Sequence, residues 1–118
     1  MKYQKYAIKM NEKKYKTMWI IAMFDLPTET PADKREYRKF REFLLDDGFI
    51  MLQYSVYARH CGSQDNTRTH SNRVVKKLPL DGEVRIIELT SKQFASMKIF
   101  WGKKSGVLES EPTQYLFL

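Results

Sequence analysis

Cysteine, histidine and glycine are scarce in this chain: its 118 residues hold one, two and five of them. The lone cysteine, Cys61, excludes an intrachain disulfide framework and suits a reducing, cytoplasmic compartment. His60-Cys61 and the distant His70 have neither the spacing nor the ligand number of a structural zinc site. Apart from the adjacent His60, no base lies near Cys61 in sequence, which makes nucleophilic catalysis a weak reading. The glycines form no loop able to cradle a phosphate. Long apolar runs are missing as well. The seven residues Met18 to Phe24 fall far short of the roughly 20 needed to cross a membrane. No apolar core followed by a small-residue cleavage site follows the first lysines, so no signal peptide is expected.

What is present is a globular composition, 42% hydrophobic and 14% aromatic, in a length suited to one domain. The net charge of +7 is unevenly spread. Residues 1–16 carry six lysines against Glu12, leaving 15 basic and 13 acidic groups for the rest. A flexible basic extension over residues 1–16 and a single domain over 17–118 are therefore expected. The overall balance is weak support for a polyanion-binding face, so local clustering must carry that argument. Internal repeats and low-complexity segments are absent.

Met18 to Asp25 reads as a strand buried on both faces, since apolar residues run through it without alternation. Thr30, Pro31 and Asp33 supply a helix cap, a first helical position and an acidic third position. The helix should run to Asp46 or Asp47 and close at Gly48, with Tyr37, Phe40, Phe43 and Leu44 as its apolar stripe. Strands are predicted over Phe49–Gln53 and Val56–Cys61, joined at Tyr54-Ser55. A second helix is predicted from Asn66 to Leu78, with Val74 and Leu78 on one face and Pro79 ending it. A fourth strand, Val84–Leu89, follows the Asp81-Gly82 turn. The order β-α-β-β-α-β is the ferredoxin-like split arrangement of an α+β fold. The alternation of Met97, Ile99 and Trp101 predicts a further strand, and Gln114–Leu118 predicts another at the C-terminus. An apolar strand at a chain end tends to pair with something.

Two segments carry a resemblance. Met23-Phe24-Asp25-Leu26-Pro27 and Gly48-Phe49-Ile50-Met51-Leu52-Gln53-Tyr54-Ser55-Val56-Tyr57 together resemble the CRISPR-associated protein 2 family, in the form of its type II branch. The resemblance extends from Met18 to the C-terminus. It implies a small homodimeric subunit of the spacer-acquisition machinery, in defence against foreign nucleic acid. Such a dimer bridges copies of the CRISPR-associated protein 1 integrase and holds double-stranded protospacer DNA. The alternative it implies is a metal-dependent endonuclease acting on RNA or DNA. The C-terminal strand is implied to exchange between protomers or to dock the integrase.

The chemistry rests on few residues. Asp25 ends an apolar strand, where one carboxylate can meet water, metal or phosphate. The resemblance implies that it is catalytic and that it shares Mg2+ or Mn2+ with Asp25 of a second protomer. Magnesium takes only one or two carboxylates and keeps most of its waters, so a two-fold pair is chemically reasonable. The residues alone equally allow an Asx-turn into Leu26-Pro27. Phe24, Ser55 and Tyr57 stand where the family places residues that support the site, or they form a turn and core. Many related chains carry a basic residue where Met51 stands, which weighs against independent nuclease activity. Lys34, Arg35, Arg38, Lys39 and Arg41 accompany only Glu36, and Lys34, Arg38 and Arg41 share a helix face. That stripe suits successive phosphates of a nucleic acid, or is an ordinary solvated face.

Overall fold

The computed structural model describes residues 17–102. The basic leader and the predicted strand Gln114–Leu118 lie outside the described residues. Strand β1 (Met18–Asp25) is followed by helix α1 (Pro31–Asp46), strands β2 (Ile50–Gln53) and β3 (Val56–Cys61), helix α2 (Gln64–Lys76), strand β4 (Glu83–Thr90) and a short helix α3 (Ser91–Ala95). The four strands form one sheet in the order β2-β3-β1-β4 with every neighbouring pair antiparallel. This is the ferredoxin-like arrangement, and β1 is central in it.

The unbroken apolar run of β1 is explained by two cores. Met18, Ile20, Ala22 and Phe24 face α1 and α2, where they meet Phe40, Leu44, Tyr57, Cys61 and Val74. Ile21 faces the other side with Ala58 and Phe94, flanked by half-buried Trp19, Met23, Leu52, Val56 and Leu89. Helix α1 begins where its sequence says it should. Thr30 Oγ1 accepts the Asp33 N–H at 3.0 Å and Asp33 Oδ2 accepts the Thr30 N–H at 3.1 Å, a reciprocal cap worth about 1 kcal/mol. It ends through Gly48, whose φ of +94° lets the Gly48 and Phe49 N–H groups donate back to Leu45 and Leu44.

Three departures from expectation have local causes. Helix α2 starts at Gln64, not Asn66, because Ser63 Oγ accepts the Asn66 N–H at 3.1 Å. Thr67 and Thr69, poor helix formers, turn their hydroxyls onto the carbonyls of Ser63 and Asp65 at 2.9 and 3.1 Å. The helix stops at Lys76, so Leu78 lies beyond it and is largely exposed instead of sharing the buried face of Val74. No strand forms over Met97, Ile99 and Trp101. Thr90 and Gln93 build a capping box that starts α3 directly after β4, and Phe94 then stacks on Trp19 at 4.0 Å. The chain leaves the sheet there.

Candidate functional site at the end of strand β1

Asp25 is the last residue of β1 and is exposed. Among the described residues its carboxylate makes no hydrogen bond and no ion pair, so the Asx-turn that would give it a structural use is not formed. Its register partner across β1 and β4 is Glu83. That second carboxylate is engaged: Arg85 Nε donates to it at 2.9 Å and holds it below its ordinary value. Gly82 brings the connection from α2 close against Asp25. A Cβ on Gly82 would lie 2.7 Å from the Asp25 carbonyl oxygen and 2.7 Å from Leu26 Cδ2, and φ there is +94°. Only glycine fits both the space and the conformation.

The hairpin tip between β2 and β3 completes this end of the sheet. Ser55 O accepts the Phe24 N–H at 3.1 Å, which joins the tip to the residue before Asp25. Ser55 has φ 64°, a left-handed conformation that costs a residue with a Cβ roughly 1 kcal/mol. Its Oγ is bonded to the Tyr37 hydroxyl of α1 at 2.8 Å. Phe24 is buried among Tyr37, Phe40 and Tyr57, with ring centroids 5.8, 5.2 and 5.6 Å away. Tyr57 is 1% exposed and lies in the core under the site. Asp25, Phe24 and Ser55 are thus brought together directly, and Tyr57 through Phe24.

The basic residues of α1 are displayed beside this end. Lys34, Arg35, Arg38 and Lys39 are exposed and Arg41 is half-buried. Lys39 approaches Glu36 at 3.8 Å, whereas Lys34, Arg35, Arg38 and Arg41 have no acidic partner among the described residues. Tyr37 lies three residues after Lys34 and four before Arg41, so the tie to Ser55 sets the hairpin tip against the basic stripe. Tyr37 was legible in sequence only as part of the apolar stripe. Its aromatic hydroxyl at the margin of that stripe was the available signal.

A second cluster lies at the far end of α1. Asp47, 8% exposed at its side chain, bonds His70 Nδ1 at 2.7 Å and Arg73 Nη1 at 2.9 Å. Arg59 Nε donates to the Asp47 carbonyl at 2.6 Å. Burial acts to raise the Asp47 carboxyl, but the hydrogen bonds from His70 and Arg73 outweigh it and hold the group below its ordinary value. His70 is therefore a hydrogen-bonded partner of the residue that ends α1. Among the described residues no three His, Cys, Asp or Glu side chains group closely enough to hold a metal ion. For a cation at Asp25 one chain would supply a single inner carboxylate among waters, the low end of what magnesium accepts. Among the same residues no helix is long and apolar enough to cross a membrane.

Comparison with known proteins agrees with this architecture. The family model described as CRISPR associated protein Cas2 matches residues 18–97. The chain is 48% identical over 97 residues to the CRISPR-associated endoribonuclease Cas2 of Parvibaculum lavamentivorans, covering 82% of this chain and 96% of that one. It is 40% identical over 116 residues to the protein of the same name from Flavobacterium psychrophilum, covering 98% of both. A relative so named in Streptococcus mutans serotype c is 36% identical over 101 residues, 86% of this chain and 93% of its own. The sheet order, the free carboxylate closing β1 and these matches place the chain in the CRISPR-associated protein Cas2 family.

Proposed function

We propose that the protein is a dimeric adaptation subunit that binds protospacer duplex DNA and bridges copies of the CRISPR-associated protein 1 integrase in the cytoplasm. The observation that carries this reading is the stripe of Lys34, Arg38 and Arg41, uncompensated by any acid among the described residues. A folded chain gains little by leaving cations unpaired on one helix face, and phosphates are the partners that such spacing suits. The dimer is supported by the sheet face opposite α1 and α2. Helix α3 covers part of it, while Ile50 and Ile87 remain 45% exposed beside half-buried Met23, Leu52 and Val56. A second copy closing over that face buries them. A bridging subunit holds DNA without reading sequence and without its own metal. Duplex binding, measured with the integrase present, should survive a chelator and Asp25→Asn. It should fall when Lys34, Arg38 and Arg41 are replaced together by alanine. Normal spacer integration by that triple variant would overturn the reading.

The free Asp25 carboxylate favours a second reading, and relatives named endoribonucleases support it. In this reading a two-fold axis passing near Asp25 would set it opposite its own copy, and the pair would hold Mg2+ or Mn2+. Such a metal would offset charge on a scissile phosphate and lower the pKa of its bound water. The chain's own part is to hold Asp25 at the strand end, with Gly82 and the Ser55–Phe24 bond fixing its backbone. Cleavage of RNA or DNA should then require a divalent cation and vanish in Asp25→Asn. An Asp25→Asn protein that cleaves as fast as the parent would sink this reading.

A further inference from the structure

Tyr54 and Ser55 form the turn between β2 and β3, and the turn is tied down. Ser55 O holds the Phe24 N–H, Ser55 Oγ holds the Tyr37 hydroxyl, and the serine keeps a left-handed φ that a glycine would adopt without strain. A glycine would lose the bond to Tyr37. Tyr54, one residue earlier, is 84% exposed, with its ring centroid 6.5 Å from that of Tyr37 at 32°. Tyr37 is the one aromatic neighbour of that ring among the described residues. A tyrosine that served the core would be covered, as Tyr57 is.

Basic side chains of α1 stand near this ring. Lys34 and Arg41 flank Tyr37 on α1, Arg38 follows it, and none of the three has an acidic partner among the described residues. The hydrogen bond from Phe24 to Ser55 also keeps the Tyr54 Cα within about 14 Å of that of Asp25, from ordinary backbone dimensions. An exposed aromatic face on a tied turn thus lies near cations and a carboxylate that have no partner among the described residues. Nucleic-acid strands combine regularly spaced negative charge with flat π-faces, and stacking on an aromatic is tolerant of sequence.

We infer that Tyr54 is a stacking platform for an unpaired base of a nucleic-acid strand whose phosphates lie along Lys34, Arg38 and Arg41. The inference rests on the nucleic-acid reading of that stripe and narrows it. A blunt duplex keeps its bases stacked on one another, so the tyrosine selects a single-stranded or splayed segment of DNA or RNA.

The test compares the full-length parent, Tyr54→Ala and Tyr54→Phe, each with the integrase present and its capture measured alongside, for binding to a labelled single-stranded DNA, a single-stranded RNA of the same sequence and a blunt duplex. Tyr54→Ala should bind single strands about tenfold or more weakly, with duplex affinity unchanged. Tyr54→Phe keeps the ring and should bind like the parent. The DNA and RNA arms show which strand the platform takes. Because Tyr54 is 84% exposed, the melting temperatures of the three proteins should agree. Equal binding of single strands by parent and Tyr54→Ala overturns the stacking role and leaves the basic stripe standing. An equal loss on duplex and single strands, or a loss in Tyr54→Phe as large as in Tyr54→Ala, also overturns it. So does a Tyr54→Ala defect confined to capture of the integrase, which assigns the ring to protein docking. If the parent binds none of the three nucleic acids, the reading of the stripe fails and this inference with it.

Discussion

The two ends of helix α1 carry the same kinds of charged group and treat them in opposite ways. At the C-terminal end Asp47 is nearly buried, and its carboxylate is bonded to both His70 and Arg73. Toward the N-terminal end, Lys34, Arg35 and Arg38 stand exposed, and neither they nor Asp25 has a charged partner among the described residues. Burial accounts for the difference. A carboxylate withdrawn from water must recover its lost hydration from hydrogen-bond donors, whereas one left in water need not. Asp47 is thus a structural charge that joins α1 to α2. Asp25 and the stripe are charges that folding leaves available to something else.

Stability measurements should break along that line. Asp47→Ala strands His70 beside an empty space and frees Arg73, so urea unfolding should show a loss of about 2–4 kcal/mol. Gly82→Ala should cost roughly 1–3 kcal/mol, since the new methyl meets Asp25 backbone at an unfavourable φ. It should also weaken any metal-dependent activity more than its stability loss explains, because Asp25 must move. Acid should weaken the Asp47 end. The folded-state value of Asp47 is depressed, so its contribution is complete above the ordinary 3.8 and is lost as pH falls through the folded value. Asp47→Asn should flatten that part of a stability–pH curve. The smallest effect is expected at Asp25, where Asn should change stability by less than about 0.5 kcal/mol. A large loss there would mean that the strand end is held by an interaction of the Asp25 side chain after all.

The contrast was only partly legible in sequence. Local signals determined β1, α1 and β3: an unalternated apolar run, a Thr30–Asp33 cap with Pro31, and a stop at Gly48 each act within a few residues. Helix α3 was missed because alternation at Met97, Ile99 and Trp101 mimics a strand, while Thr90-x-x-Gln93 just before it is a capping box. Asp25 and the α1 stripe stood out because one ends an apolar run and the other is a charge run. The Asp47–His70–Arg73 cluster joins residues 23 and 26 positions apart, so nothing local announces it. The role of Tyr37 was hidden for the same reason. Its Ser55 partner lies 18 residues away, and Ser55 shows its left-handed φ only in the folded turn.

The central claim is that the charges left unpaired on α1 exist to hold phosphates, and the salt dependence of DNA binding tests it most directly. Affinity for a duplex, measured with the integrase present over a range of salt, should fall linearly on logarithmic axes. Each neutralised phosphate contributes a slope of about 0.9, so replacing Lys34, Arg38 and Arg41 together by alanine should make the slope shallower by roughly 2.7. The lysines of residues 1–16 are present in both proteins and cancel in the difference. A triple variant with the parent's slope and affinity would contradict the account, and would make the stripe a solvated face.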